Sequence, residues 1–188
     1  MATYLVLLLG YSMPNFLLIP VSKILTFAGL VFVMTSILPM ANLLMFKAFG
    51  TLPSLQMKTR RERIVPFILI TIIYMVITGM FFYKVAGNVN FNRVMLIITT
   101  LVLAGTMVTF FEKISIHSLA MGGMMGILLP LNKALETGAL LKPTAAILVM
   151  GGLVMSARLY LNLHSLREVL LGVVIGFSTA FLGMILLF

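Results

Sequence analysis

Long apolar stretches, each close to the length of a bilayer crossing, leave this chain few possible folds. A helix needs about 20 residues to cross roughly 30 Å of hydrocarbon. Six stretches have that character: 24–47, 64–84, 94–111, 116–132, 141–158 and 168–188. Charges or turn residues bound them. Lys47 and Gly50 close the first, while Lys84, Gly87, Asn88, Asn90 and Asn92 separate the second from the third. Glu112 and Lys113 close the third, and Lys133, Glu136, Gly138, Lys142 and Pro143 part the fourth from the fifth. Strands of a membrane barrel would run about ten residues with alternating polarity. These runs are continuous, so helices are expected. Composition agrees: 9% of the residues are charged, against about 25% in a soluble domain, too few to clothe a water-facing globule.

The N-terminal stretch 3–19 is apolar but carries Pro14, with Pro20 just beyond. It reads as a short or broken seventh membrane segment. It has little positive charge ahead of its core, unlike a secretory signal. The expected fold is therefore an all-α polytopic membrane helical bundle of six core transmembrane helices plus this short segment. A single membrane domain covers 1–188, with its core over about 24–188. The chain has no cysteine, which excludes disulfides and thiolate metal sites. It has no aspartate, and its acids are Glu62, Glu112, Glu136 and Glu168. The net charge of +9 suits anionic headgroups or a phosphorylated substrate, or follows from topogenic loop charges. No nucleic-acid partner is implied.

Each helix carries the chain to the opposite side of the membrane. Loops 48–63, 112–116 and 157–168 therefore share one face, and loops 85–93 and 133–141 share the other. The first face collects Lys47, Lys58, Arg60, Arg61, Arg63, Lys113, Arg158 and Arg167, three of the four glutamates, and both histidines, His117 and His164. The residues capable of chemistry thus converge on one membrane surface.

Arg158, His164 and Glu168 follow the spacing R-x5-H-x3-E. With a helix starting near Ser165, His164 and Glu168 lie one turn apart and can meet. A carboxylate accepting from one imidazole nitrogen fixes the tautomer and raises the basicity of the other, which prepares a histidine nucleophile. Arg158 offers a planar, permanently charged fork for phosphate oxygens. Ser115 can donate to an oxyanion and Lys113 can neutralise one. This set fits phosphoryl transfer through a phosphohistidine, with no metal and no cofactor.

The spacing resembles the three-part signature of the type 2 phosphatidic acid phosphatase family, in the manner of a short, divergent bacterial-type member. The family's third element, S-R-x5-H-x3-D, stands here as Arg158, His164 and Glu168, with Ser156 displaced by one position. Its second, P-S-G-H, is matched by Ile114, Ser115, Ile116 and His117. Its first, K-x6-R-P, keeps Lys58 and Pro66 but has Val65 at the arginine. The resemblance implies that His164 is the nucleophile, Glu168 its orienting partner and His117 the acid for the leaving alkoxide. Arg158, Ser115 and Lys113 would hold phosphate, assisted by Lys58, Arg61 or Arg63. It also implies membrane lipids as surroundings, a phosphorylated lipid as substrate, and a bacterial cytoplasmic membrane as location.

Three departures accompany the match. Glu168 adds a methylene to the expected Asp, the second element lacks its Pro and Gly, and Val65 removes a cation. A rival expectation follows, that of a catalytically degenerate phosphatase-fold subunit bound to membrane-protein partners in a larger complex. Two histidines on one face also suffice for bis-histidine haem ligation, although the flanking cations favour phosphate. The positive-inside rule puts the histidine face in the cytoplasm, whereas many members of the resembled family act on the outer side, so the side stays open. Gly122, Gly123 and Gly126, and Gly172 with Gly176, have the spacing of close helix packing.

Overall fold

The computed structural model describes residues 1–51, 57, 59–134 and 138–188. All regular structure among them is helical: α1 (Ala2–Ser12), α2 (Pro14–Leu17), α3 (Val21–Phe32), a π-helical turn (Val33–Ile37), α4 (Leu38–Ala48), α5 (Arg60–Lys84), α6 (Val89–Thr109), α7 (Ile116–Ala134), α8 (Leu141–Tyr160) and α9 (Leu166–Leu187). Five helical stretches are long and apolar enough to cross a membrane: Val21–Ala48, Arg60–Lys84, Val89–Thr109, Leu141–Tyr160 and Leu166–Leu187. This is an all-α fold with the character of a polytopic membrane bundle. The chain divides into two compact units, residues 2–113 and residues 114–188, the latter with Met1.

In the 2–113 unit, α1 is only 11 residues long, about 16 Å at 1.5 Å per residue, and is no crossing. Leu5 and Leu9 are fully buried, and α1 packs on α3. The break expected near Pro14 is present: α1 stops at Ser12 and Pro14 opens α2. The first long run is continuous from Val21 to Ala48 but carries a π turn at 33–37. Pro39 explains it. An α-helix would pair Thr35 C=O with the N–H of residue 39, and proline has none. The orphaned carbonyl accepts instead from the Tyr74 hydroxyl on α5 (2.8 Å). In hydrocarbon such a partner must come from the protein.

Helices α5 and α6 are joined by hydroxyl pairs, Thr71 with Thr106 (2.7 Å) and Thr78 with Thr99 (2.6 Å). These are the interhelical polar contacts a bilayer favours. Asn88 caps α6 by accepting from Phe91 N–H. Its amide donates to Leu17 C=O, and Asn90 donates to Phe16 C=O (2.8 Å), so the asparagine cluster fastens α2 to α6.

In the 114–188 unit, α7 packs against both α8 and α9. It was expected as a crossing, yet it is not among the helices apolar enough to qualify on composition. The physical reason is its position. Ser118, Gly122, Gly123, Met124, Gly126 and Ile127 are buried, Gly122 and Gly126 against α9, and a helix shielded by its neighbours need not be as apolar as one bathed in lipid. The far end of α7 is tied to the start of α8 by Asn132, which donates to Thr144 Oγ1 (2.5 Å) and Leu140 C=O (3.3 Å).

Candidate active site

The site is built on the parallel pair α7 and α9. A Cβ added at Gly172 would lie 2.6 Å from Ser115 O, and one at Gly126 would lie 2.6 Å from Phe177 O. Added Cβ atoms at Gly122 and Gly176 would strike Val173 O and Leu119 O. Glycines on each helix thus face backbone of the other, the close approach that small-residue spacing permits. Contacts advance in the same direction along both helices, so their N-terminal ends lie side by side. There Ser115 N–H donates to Glu168 C=O (3.1 Å).

The segment between Arg158 and Glu168 is fixed by two adjoining caps. Helix α8 ends with Asn162 in the left-handed region (φ 51). Asn162 N–H donates to Leu159 C=O (3.0 Å) and Leu163 N–H to Arg158 C=O (3.2 Å), the paired bonds of a Schellman ending. Two residues on, Ser165 is the N-cap of α9, its Oγ accepting from Glu168 N–H (3.3 Å). Glu168 therefore stands at the third position of the helix, the acidic place of a capping box. His164 is held between the caps. Its Nδ1 lies 2.5 Å from Glu168 Oε2, and the two side chains are 8% and 19% exposed. A carboxylate only accepts, so the contact places a proton on Nδ1 and leaves Nε2 as the ring nitrogen with a lone pair. Arg158 is half-buried in the last turn of α8.

His117 lies in the first turn of α7 and is exposed. Ser115 lies differently from its expected role. It is fully buried, and its Oγ accepts from both Ser118 N–H (3.3 Å) and Ser118 Oγ–H (2.8 Å). Its carbonyl takes Leu119 N–H (2.9 Å). These are the bonds of an N-cap. Ser115 starts α7 and so sets where His117 begins, with its side chain turned away from solvent. Nothing in the residue types around Ser118 and Asn162 marked them beforehand as parts of this framework. Asn162 had one signal, since asparagine tolerates the left-handed conformation.

The remaining expected residues belong to the 2–113 unit. Lys58 lies outside the described residues. Arg61 is exposed on the first turn of α5, and Lys113 is half-buried. Arg63 is 6% exposed and its Nε–H donates to Met57 C=O (2.9 Å). Arg60 donates to Phe110 C=O (2.7 Å) and Phe111 C=O (2.9 Å), satisfying carbonyls at the end of α6, where cations are favoured. Two of the basic residues beside Pro66 thus hold backbone. Among the described residues, no group of three His, Cys, Asp or Glu is placed to hold a metal ion.

Comparison with known proteins gives one match. A family model described as the PAP2 superfamily matches residues 106–188. No curated protein and no solved structure matches the chain. The matched stretch takes in Ser115, His117, Arg158, His164 and Glu168 and leaves out Lys58, Arg61 and Arg63; over that stretch the chain is similar to the lipid-phosphatase-like PAP2 superfamily.

Proposed function

We infer that the protein is a metal-independent phosphatase of a membrane lipid phosphate or pyrophosphate. The observation that carries this reading is the His164–Glu168 pair, seated between two caps inside the stretch similar to the PAP2 superfamily. Nε2 of His164 attacks phosphorus and the bond from phosphorus to the lipid oxygen breaks. His117 gives its proton to the departing alkoxide. Water, deprotonated by His117, then cleaves the phosphohistidine and releases phosphate. Glu168 holds the imidazolium that forms, and Arg158 neutralises the phosphoryl oxygens. The parallel packing of α7 and α9 supports the two-histidine arrangement, because it brings the start of the His117 helix beside the start of Glu168's helix. In this reading α7 counts as a sixth crossing, residues 1–188 form one membrane protein of a bacterial cytoplasmic membrane, and α1 is an accessory segment.

A second reading rests on Ser115. Its hydroxyl is buried and engaged by Ser118, so the second motif element contributes a helix cap. Together with the lost Pro and Gly, this favours a degenerate phosphatase-fold subunit that binds lipid or a membrane partner. Phosphate release separates the two. Purified protein is given phosphatidic acid, phosphatidylglycerol phosphate and a polyprenyl pyrophosphate, with chelator present. Release that disappears in His164→Ala supports the enzyme. No release from any of them, together with stable association with a membrane partner, supports the subunit.

A further inference from the structure

We propose that the groove between α4 and α5 binds one acyl chain of an anionic ester phospholipid, with Asn42 holding the ester carbonyl and Lys47 and Arg61 meeting the headgroup. The proposal stands on the 2–113 unit alone and is independent of whether the protein hydrolyses phosphate. The groove has a volume of about 400 Å3 and is walled by Leu38 and Ala41 of α4, Phe49 just after it, and Leu69 and Ile73 of α5, with Asn42 the one polar side chain among the described residues of its lining. From Leu38 to Phe49 the wall runs about 16 Å at 1.5 Å per residue, roughly half of a 30 Å hydrocarbon layer. Lys47 in the last turn of α4 and the Arg60, Arg61, Glu62, Arg63 run opening α5 set the headgroup level at the Phe49 end. With the ester carbonyl at Asn42, the Phe49 half of the slot takes the glycerol linkage below the headgroup, and the Leu38 half takes the first methylenes of the acyl chain, about 6 Å.

Asn42 gives the slot chemical selectivity. It stands five residues before Lys47, roughly 7 Å further into the membrane, just below the headgroups. Its side chain makes no hydrogen bond with another described residue. An amide at that depth is unfavourable unless satisfied. Hydrocarbon offers it nothing, and an ester carbonyl accepts from its Nδ2–H. At the mouth, Lys47 and Arg61 are exposed and carry no ion pair among the described residues, whereas Arg60 and Arg63 donate to carbonyls. Two cations of this kind select a negative headgroup.

The test uses the full chain in detergent, with lipid retention measured by native mass spectrometry. Diacyl phosphatidylglycerol is compared with its dialkyl ether analogue, which lacks the carbonyls, and with diacyl phosphatidylcholine. The expected result is a diacyl preference over dialkyl of about three- to tenfold, the range of one hydrogen bond, and a preference for phosphatidylglycerol over phosphatidylcholine. Asn42→Leu should abolish the first preference only, and Lys47→Gln with Arg61→Gln the second only. Ala41→Phe should fill the slot and reduce retention of all three lipids. Equal retention of diacyl and dialkyl lipid by the unaltered protein, or a diacyl preference that survives in Asn42→Leu, overturns the role of Asn42. Equal retention of phosphatidylcholine overturns the anionic selection. Unchanged retention in Ala41→Phe, with the fold intact by circular dichroism, shows annular lipid only and ends the proposal.

Discussion

Gly172→Ala tests whether the contact between α7 and α9 is what seats the site. The new Cβ would lie 2.6 Å from Ser115 O, 3.2 Å from Leu119 N and 3.2 Å from Ser118 Cβ. The nearest of these atoms is backbone and cannot rotate away. Moving it from 2.6 Å to the 3.4 Å at which ordinary contact begins separates the helix starts by about 0.8 Å, an overpacking strain of about 1–3 kcal/mol. The same shift stretches the 3.1 Å bond from Ser115 N–H to Glu168 C=O out of range, and a buried donor left unpaired costs about 1–3 kcal/mol more. Alanine returns about 1 kcal/mol through its higher helix propensity. The net loss is roughly 1–5 kcal/mol, and at about 2–4 °C per kcal/mol for a chain of this size the melting temperature should fall by several degrees or more. Gly152→Ala is the matched control in the same unit. Nothing lies within 4 Å of its added Cβ, so it should be neutral or slightly stabilising. Thermal unfolding of both variants in one detergent decides the matter. If Gly172→Ala melts no lower than Gly152→Ala, the close approach of α7 and α9 does not contribute as argued.

Other outcomes follow from the site. On the proposed phosphatase function, Glu168→Gln keeps the shape of the side chain but removes the charge proposed to hold an imidazolium, so lipid phosphate release should fall by about 10²–10⁴-fold with expression retained; unchanged turnover would reduce Glu168 to a headgroup-facing charge. His117→Ala should leave a phosphohistidine detectable by phosphate labelling and be partly rescued by substrates with good leaving groups, while His164→Ala should give neither label nor turnover. Ser115→Ala should lower stability by about 0.5–2 kcal/mol, the worth of an N-cap, with an unchanged KM in the remaining folded protein; a KM raised tenfold would return Ser115 to phosphate binding. Asn162→Gly should be tolerated because glycine adopts positive φ freely, whereas Asn162→Val should strain the α8 ending and lower the melting temperature.

Much of this protein was legible in local sequence. The apolar runs gave α5, α6, α8 and α9 within a few residues, because a helix in hydrocarbon must satisfy its backbone internally whatever surrounds it. The pairing of His164 with Glu168 was legible for the same kind of reason: four residues apart at a capped helix start, they meet by geometry that needs no distant partner. The glycine spacing announced that a helix would be approached closely. Which helix filled that role, and what that made of the neighbouring side chains, the tertiary structure decided. It made Ser115, a phosphate candidate in sequence, a buried cap as well, because the carbonyl of Glu168 and the Gly172 surface close over the start of α7. It packed α7 against α8 and α9, where a more polar composition than that of a lipid-facing span is tolerated. It also gave Arg60 and Arg63 to backbone carbonyls, although in sequence they are indistinguishable from Arg61. Helix, cap and turn are settled by groups within a few residues of one another. Burial and the allotment of hydrogen-bond donors depend on what a fold brings from far along the chain, and no short window of sequence contains that.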